Sequence, residues 1–211
     1  TDSIHAMLEA QTSRVICNSE VPLRILDDAG NEVARMGETN AGDIVTDAYR
    51  LMTGSDIAVL NSGSIRNELK KTGDYTYGDL LTLLPYDNYI VVAEVKGGTI
   101  IEMLKKLVSF LPKPDGQFPQ VSGLKFTTKV KDHSVSDVQV LNGATQHYEP
   151  INPERTYKIA TTKYCMTDGG LHNTLQGCPI VLETKKTYSD VFIEYIEQRL
   201  NGHIGQEYAK P

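Results

Sequence analysis

Residues 57–66 join an apolar run to a polar turn suited to holding an anion. Ile57, Ala58, Val59 and Leu60 read as a buried strand, and NSGSIR at 61–66 follows at once. A strand that leaves its sheet into a Ser/Gly turn frees backbone N–H groups, and Gly63 lets a ligand approach the main chain closely. Arg66 adds a planar fork of donors beside that turn. Taken alone, the same six residues also make an ordinary strand-to-loop turn with a surface arginine.

Other chemistries find less support. A binuclear metal centre needs several His and Asp ligands from motifs such as DxH. The five histidines, His5, His133, His147, His172 and His203, stand far apart, and none has an Asp two places before it. The expectation is no metal site and no hydrolytic centre in these residues, with His133 a solvated loop residue. Cys17, Cys165 and Cys178 have neither zinc-finger spacing nor the even count of a disulfide framework. Buried free thiols are the simpler reading; one pair plus a free thiol is the alternative. The net charge of −6 comes from 27 acidic and 21 basic residues without a basic stripe, which leaves a nucleic-acid polymer no electrostatic footprint. A small anionic ligand needs only local charge, which Arg35 and Arg66 supply. No run of about 18 apolar residues is present to span a bilayer, and none reads as a signal-peptide core.

The elements that must position these residues follow from periodicity. Residues 2–11 read as a short helix, followed by strands at 14–17 and 22–26 and a turn at 27–31 that closes a short hairpin. Thr39 or Asn40 caps a helix whose apolar stripe runs from Ile44 to Met52 and which Gly54 ends. A strand at 56–60, a helix at 76–84 stopped by Pro85, and a Val-rich strand at 89–95 come next. Ile100, Leu104, Leu107 and Val108 mark another helix, and three prolines stiffen 112–119. Strands at 121–128, 135–141 and 156–162 precede a last helix at 188–200. This order defines one α/β unit. Four loops, at 35–40, 61–66, 85–88 and 163–170, are expected to leave strand ends, where open α/β sheets gather ligands.

Six blocks recur in one order: RMGETNAGDIVTDAYR at 35–50, NSGSIR, GDYTYGDLLTLLPYDN at 73–88, VVAEVKG at 91–97, GQFPQVSGLKF at 116–126 and TYKIATTKY at 156–164. Together they resemble the C-terminal domain of the 5'-nucleotidase family, from about Arg35 to Gly170. The resemblance implies a layered α/β/β/α domain over 13–211, with mixed sheets and helices on the outer faces, and makes 1–12 the end of an interdomain linker helix. It implies a nucleotide or nucleoside as ligand. Tyr86 and Tyr164 occupy the family's two base-stacking aromatic places, Arg35 and Arg66 match its substrate-binding arginines, and Gly116 matches a glycine lining the nucleoside slot. Asn61 and Asn88 carry the donor and acceptor that suit a base edge or ribose hydroxyl, though asparagine after a strand is also a turn former. One departure stands out: the family has GGDGY or GGDGF after the second aromatic, whereas here Asp168 is displaced and Gly170 stands where the acid should be.

The family's other half is a metallophosphatase domain with two divalent metal ions, and nothing in this chain resembles it. The resemblance therefore implies a covalently linked N-terminal domain that hydrolyses nucleotide phosphate esters, no cofactor and no catalytic residue in this chain, an inactive isolated fragment, and export to the periplasm, cell wall or cell surface. Within the class, a 2',3'-cyclic-nucleotide phosphodiesterase/3'-nucleotidase and a UDP-sugar hydrolase are alternatives. Outside it stands a nucleoside-binding or interaction module.

Overall fold

A computed structural model describes residues 2–211. Its elements run α1 (Asp2–Thr12), β1 (Val15–Ser19), α2 (Asn40–Thr53), β2 (Ile57–Asn61), β3 (Gly73–Thr76), α3 (Tyr77–Leu83), β4 (Tyr89–Lys96), α4 (Gly97–Val108), β5 (Pro119–Ser122) and β6 (Leu124–Lys129), then β7 (Ser134–Asn142), β8 (His147–Pro150), β9 (Thr156–Thr162), α5 (Lys163–Thr167), β10 (Ile180–Thr187), α6 (Tyr188–Gln198) and β11 (His203–Ile204). The centre is a mixed five-stranded sheet in the order β10-β4-β9-β2-β5. Its inner strands alternate between two cores, as a period of two requires. Ala58, Leu60, Ile90, Val92 and Ala160 face α2 and α6, while Ile57, Val59, Val91, Ala93 and Ile159 face α4 and the sheet β6-β7-β8. A third sheet, β11-β1-β3, extends the first core.

Helix ends follow their sequence signals. Thr39 Oγ1 accepts from the Gly42 N–H at 3.2 Å, and Gly54 closes α2 in the left-handed conformation at φ 64°. Helices α3 and α6 each begin with a complete capping box, Thr76 with Asp79 and Thr187 with Asp190.

Three expectations need correction. Residues 22–26 form no strand beyond a single bridge between Leu23 and Leu69, so the hairpin at 27–31 is absent. Side chains take up the backbone donors instead: Asn40 Oδ1 accepts from Arg24 N at 2.9 Å, and Glu68 Oε2 from Ile25 N and Leu26 N at 3.1 Å. The run 121–128 is two strands in different sheets, broken at Gly123 with φ +72°, where a Cβ would stand 2.4 Å from the Asp56 carbonyl oxygen. Finally, the loop at 85–88 enters a strand rather than leaving one, and that at 35–40 follows a short 3-10 turn at Val33–Arg35. Elements β3, β8, β10, β11 and α5 escaped the sequence reading. Thr1, first residue of the expected linker segment, lies outside the described residues.

Candidate ligand-binding edge

Strand direction decides which loops meet. β9 runs parallel to β2, with Ile57 beside Ile159. β4 opposes β9 with Ile90 across from Thr162, β5 opposes β2 with Asn61 across from Pro119, and β10 opposes β4 with Thr187 across from Tyr89. The ends of β2, β9 and β10 and the starts of β4 and β5 therefore share one edge of the sheet. Segments 61–66, 85–88, 112–118 and 163–170 and the first turn of α6 all emerge there.

Side chains and backbone groups lace these segments together. Asn61 is 3% exposed; its Nδ2 donates to the Gly116 carbonyl at 3.3 Å, and its Oδ1 accepts from Ser64 Oγ at 2.6 Å. It braces the turn. Gly63 N donates to the same Gly116 carbonyl at 2.7 Å, and a Cβ on Gly63 would meet that oxygen at 2.9 Å. This approach is the physical reason for glycine in the motif. Tyr188, fully buried, accepts from Tyr86 N at 3.0 Å and donates to the Ser64 carbonyl at 3.3 Å, coupling 85–88 to 61–66. Asn88 accepts from Tyr188 N at 2.7 Å through its carbonyl and from Tyr164 N at 3.4 Å through Oδ1.

The two tyrosines differ. Tyr86 is 50% exposed at the rim. Tyr164 is half-buried, its hydroxyl accepting from Gln117 Nε2 at 3.3 Å. A Cβ on Gly170 would lie 2.8 Å from both the Tyr164 ring and Cys165 Cα. A side chain at position 170 would therefore force the Tyr164 ring or the Cys165 backbone to shift. Asp168, the displaced acid, is exposed just after α5, its N–H donating to the Tyr164 carbonyl at 3.1 Å, and its carboxylate takes no hydrogen bond or ion pair among the described residues.

The arginines line one cavity of about 200 Å³, together with Ser62, Ile65, Glu32 and Glu68. Arg35 Nη1 would lie 3.4 Å from a Cβ on Gly116, and its Nε pairs with Glu32 at 3.3 Å. Arg66 Nη1 donates to the Gly63 carbonyl at 3.3 Å. Gln120 fixes the Arg35 segment to β5: Nε2 donates to the Ala34 and Gly37 carbonyls at 2.8 Å, and Oε1 accepts from Thr39 N at 3.2 Å. Sequence reasoning missed Gln117, Gln120 and Tyr188. Both glutamines stand in the GQFPQVSGLKF block, and Tyr188 stands behind the capping signal of Thr187 and Asp190.

A larger cleft of about 650 Å³ lies elsewhere, between α2, β5–β7 and the C-terminal residues, and carries Glu38, Asp43, Asp47 and Glu207. Burial and the neighbouring Glu38 push the Asp43 carboxyl up to about 8. Among the described residues no group of three or more His, Cys, Asp or Glu is placed to hold a metal ion. The three cysteines are unpaired; burial pushes the Cys17 thiol up to about 12 and raises those of Cys165 and Cys178. No helix among the described residues is long and apolar enough to cross a membrane.

The mixed sheet with its helices and this loop arrangement is the architecture of a known class. The family model for the 5'-nucleotidase C-terminal domain matches residues 15–177, more than half of the chain, and the chain belongs to that family. It is 28% identical over 172 residues to Protein UshA of Escherichia coli (strain K12), covering 81% of this chain and 29% of UshA. It is 32% identical over 149 residues to the Trifunctional nucleotide phosphoesterase protein YfkN of Bacillus subtilis (strain 168), covering 67% of this chain and 10% of that protein. The crystal structure of a 5'-nucleotidase precursor from Thermus thermophilus superposes with a TM-score of 0.81 at 26% identity, over 96% of this chain and 39% of that one. The chain spans less than a third of the length of UshA.

Proposed function

We propose that this chain is the nucleotide-recognition domain of a 5'-nucleotidase-like metallophosphoesterase. The observation that carries the reading is the tie between the loops: Tyr188 and Asn88 hold Tyr86, Tyr164 and the Ser62–Ser64 turn at one sheet edge, next to a cavity lined by Arg35 and Arg66. In this reading the base stacks between Tyr86 and Tyr164, and Asn88 addresses its edge with the side-chain amide hydrogens that no described residue takes. Gly116 lines the slot beside Asn61, whose Nδ2 donates to the Gly116 carbonyl. Asp168 takes a ribose hydroxyl. Arg35 and Arg66 take phosphate oxygens, where a guanidinium grips two at once and an ammonium acts as a point charge.

The whole protein carries an N-terminal metallophosphatase domain with two divalent metals, and α1 is the end of the helix leading from it. Ile4, Met7 and Leu8 on α1 are 61%, 72% and 56% exposed, as suits a helix that continues toward another body. The present domain binds the substrate and presents its phosphate to that centre, which is catalysis by positioning. The protein is exported. Isothermal calorimetry and a phosphate-release assay test this together. Micromolar to millimolar binding of adenosine and AMP without hydrolysis is expected; metal-dependent phosphate release by the pure chain would overturn it.

The tyrosine pair favours one second reading, a 2',3'-cyclic-nucleotide phosphodiesterase/3'-nucleotidase. Relative kcat/KM of the full-length protein on AMP, 2',3'-cyclic AMP and UDP-glucose separates these.

A further inference from the structure

We propose that Asp115 and His172 form a positioning latch that holds Tyr164 and the Gly116 loop in the arrangement that receives a nucleoside, a role that rests on the nucleotide-recognition reading. Neither residue belongs to the recognition set above. His172 Nε2 donates to Asp115 Oδ2 at 2.6 Å, and its ring stacks on Phe110 with centroids 4.6 Å apart and planes 26° from parallel. The pair is partly shielded, with side chains 31% and 17% exposed.

Each partner stands beside a group the ligand would meet. Asp115 Oδ1 accepts from Gln117 N at 2.9 Å, its carbonyl accepts from Ser62 Oγ at 3.2 Å, and its N–H donates to the Arg35 carbonyl at 3.1 Å. Gln117 then reaches across: Nε2 donates to the Tyr164 hydroxyl at 3.3 Å, and Oε1 accepts from Leu171 N at 2.6 Å. The Asp115–His172 and Gln117–Leu171 contacts are parallel links between the 112–118 loop and the segment after Tyr164.

That segment needs holding. Leu171, His172 and Asn173 have φ of 52°, 51° and 60°, three consecutive non-glycine residues in the left-handed region, which such residues visit singly. Conformations of this kind persist only where surrounding contacts over-determine them. Burial opposes ionisation of Asp115, but His172, the Gln117 N–H and Arg35 together hold its carboxyl below the usual carboxylate range.

The test uses the 211-residue chain with adenosine as probe. Affinity is read by calorimetry, and the Leu171 amide by hydrogen exchange, for wild type, His172→Ala and His172→Gln. The Gln Nε2 can replace the imidazole Nε2 as donor to Asp115, and both variants keep a non-glycine residue at the same φ. The latch predicts that His172→Ala weakens adenosine roughly tenfold and speeds Leu171 exchange, while His172→Gln stays within about threefold of wild type. Wild-type affinity in His172→Ala, or equal losses in both variants, would overturn the latch while leaving the recognition reading intact. A wild-type chain that binds no adenosine would overturn the recognition reading itself, and the latch with it.

Discussion

Two concavities of this domain differ in size and in the balance of charges that line them. The cleft of about 650 Å³ is lined by Glu38, Asp43, Asp47 and Glu207, against Arg50, Lys125 and Lys210. The cavity of about 200 Å³ at the sheet edge has Arg35 and Arg66 as its positive groups. The first is rich in carboxyl groups, and burial together with the neighbouring Glu38 pushes that of Asp43 up to about 8. The second sets Arg35 and Arg66 against Glu32 and Glu68, with Ser62 at the start of the NSGSIR turn. Size alone points to the cleft; in the reading proposed above, strand direction and the loops it brings together point to the edge.

The strongest way to break the comparison is to disable the edge without touching the cleft. Gly170→Asp restores the acid that the family motif carries at this position, yet its Cβ would stand 2.8 Å from the Tyr164 ring and Cys165 Cα. Overpacking of this kind costs about 1–3 kcal/mol, so the melting temperature should fall and adenosine binding should be lost. Retained affinity in Gly170→Asp would refute the assigned placement of Tyr164. Next, Tyr164→Ala and Tyr86→Ala should each weaken adenosine by roughly 1–3 kcal/mol, measured by calorimetry. The more exposed Tyr86 is expected at the lower end. Arg35→Ala and Arg66→Ala sharpen the comparison by ligand: AMP affinity should drop by about 1.5–3 kcal/mol while adenosine changes little, since a hydrogen bond to a charged group is what is removed.

The cleft has its own signature in pH. Asp43 is raised in the folded chain, so the unfolded chain gives up this proton first as pH increases. Its protonated form therefore supports the fold fully below about pH 4, and that support declines between about pH 4 and 8. Urea midpoints should fall across this window in wild type and flatten in Asp43→Asn. Adenosine affinity should follow neither trend. The smallest effect is expected from Thr187→Ala, which removes the cap of the helix bearing Tyr188 and should cost about 1 kcal/mol of stability by urea denaturation.

Periodicity made most helices and the inner strands legible, because their apolar stripes face a continuous core. β2, β4 and β9 and helices α2, α4 and α6 lie within a few residues of where hydrophobic spacing puts them. Elements whose stability comes from partners remote in sequence were not legible. β10 is half exposed and interrupted in register, and β11 is two residues long. Residues 22–26 carry a strand-like pattern, but Asn40 and Glu68 capture the N–H groups a ladder would use. At the edge, Arg35, Arg66, Gly116 and the tyrosines were named from the ordered blocks, whereas the residues that hold them were not. Gln117, Gln120 and Tyr188 act through hydrogen bonds to groups tens of residues away, a property no local spacing encodes. Asn61 illustrates the limit from the other side: its amide suits a ligand by type, and the fold uses most of it to brace the turn.

The central claim, that the loop edge of the five-stranded sheet receives the nucleoside, is tested most directly by mapping amide chemical shifts of the chain during adenosine titration. The account predicts saturable shifts at Tyr86, Asn88, Gly116 and Tyr164, with Glu38, Asp43 and Tyr148 unmoved. Shifts confined to the acidic cleft, or none at saturating adenosine, would contradict it.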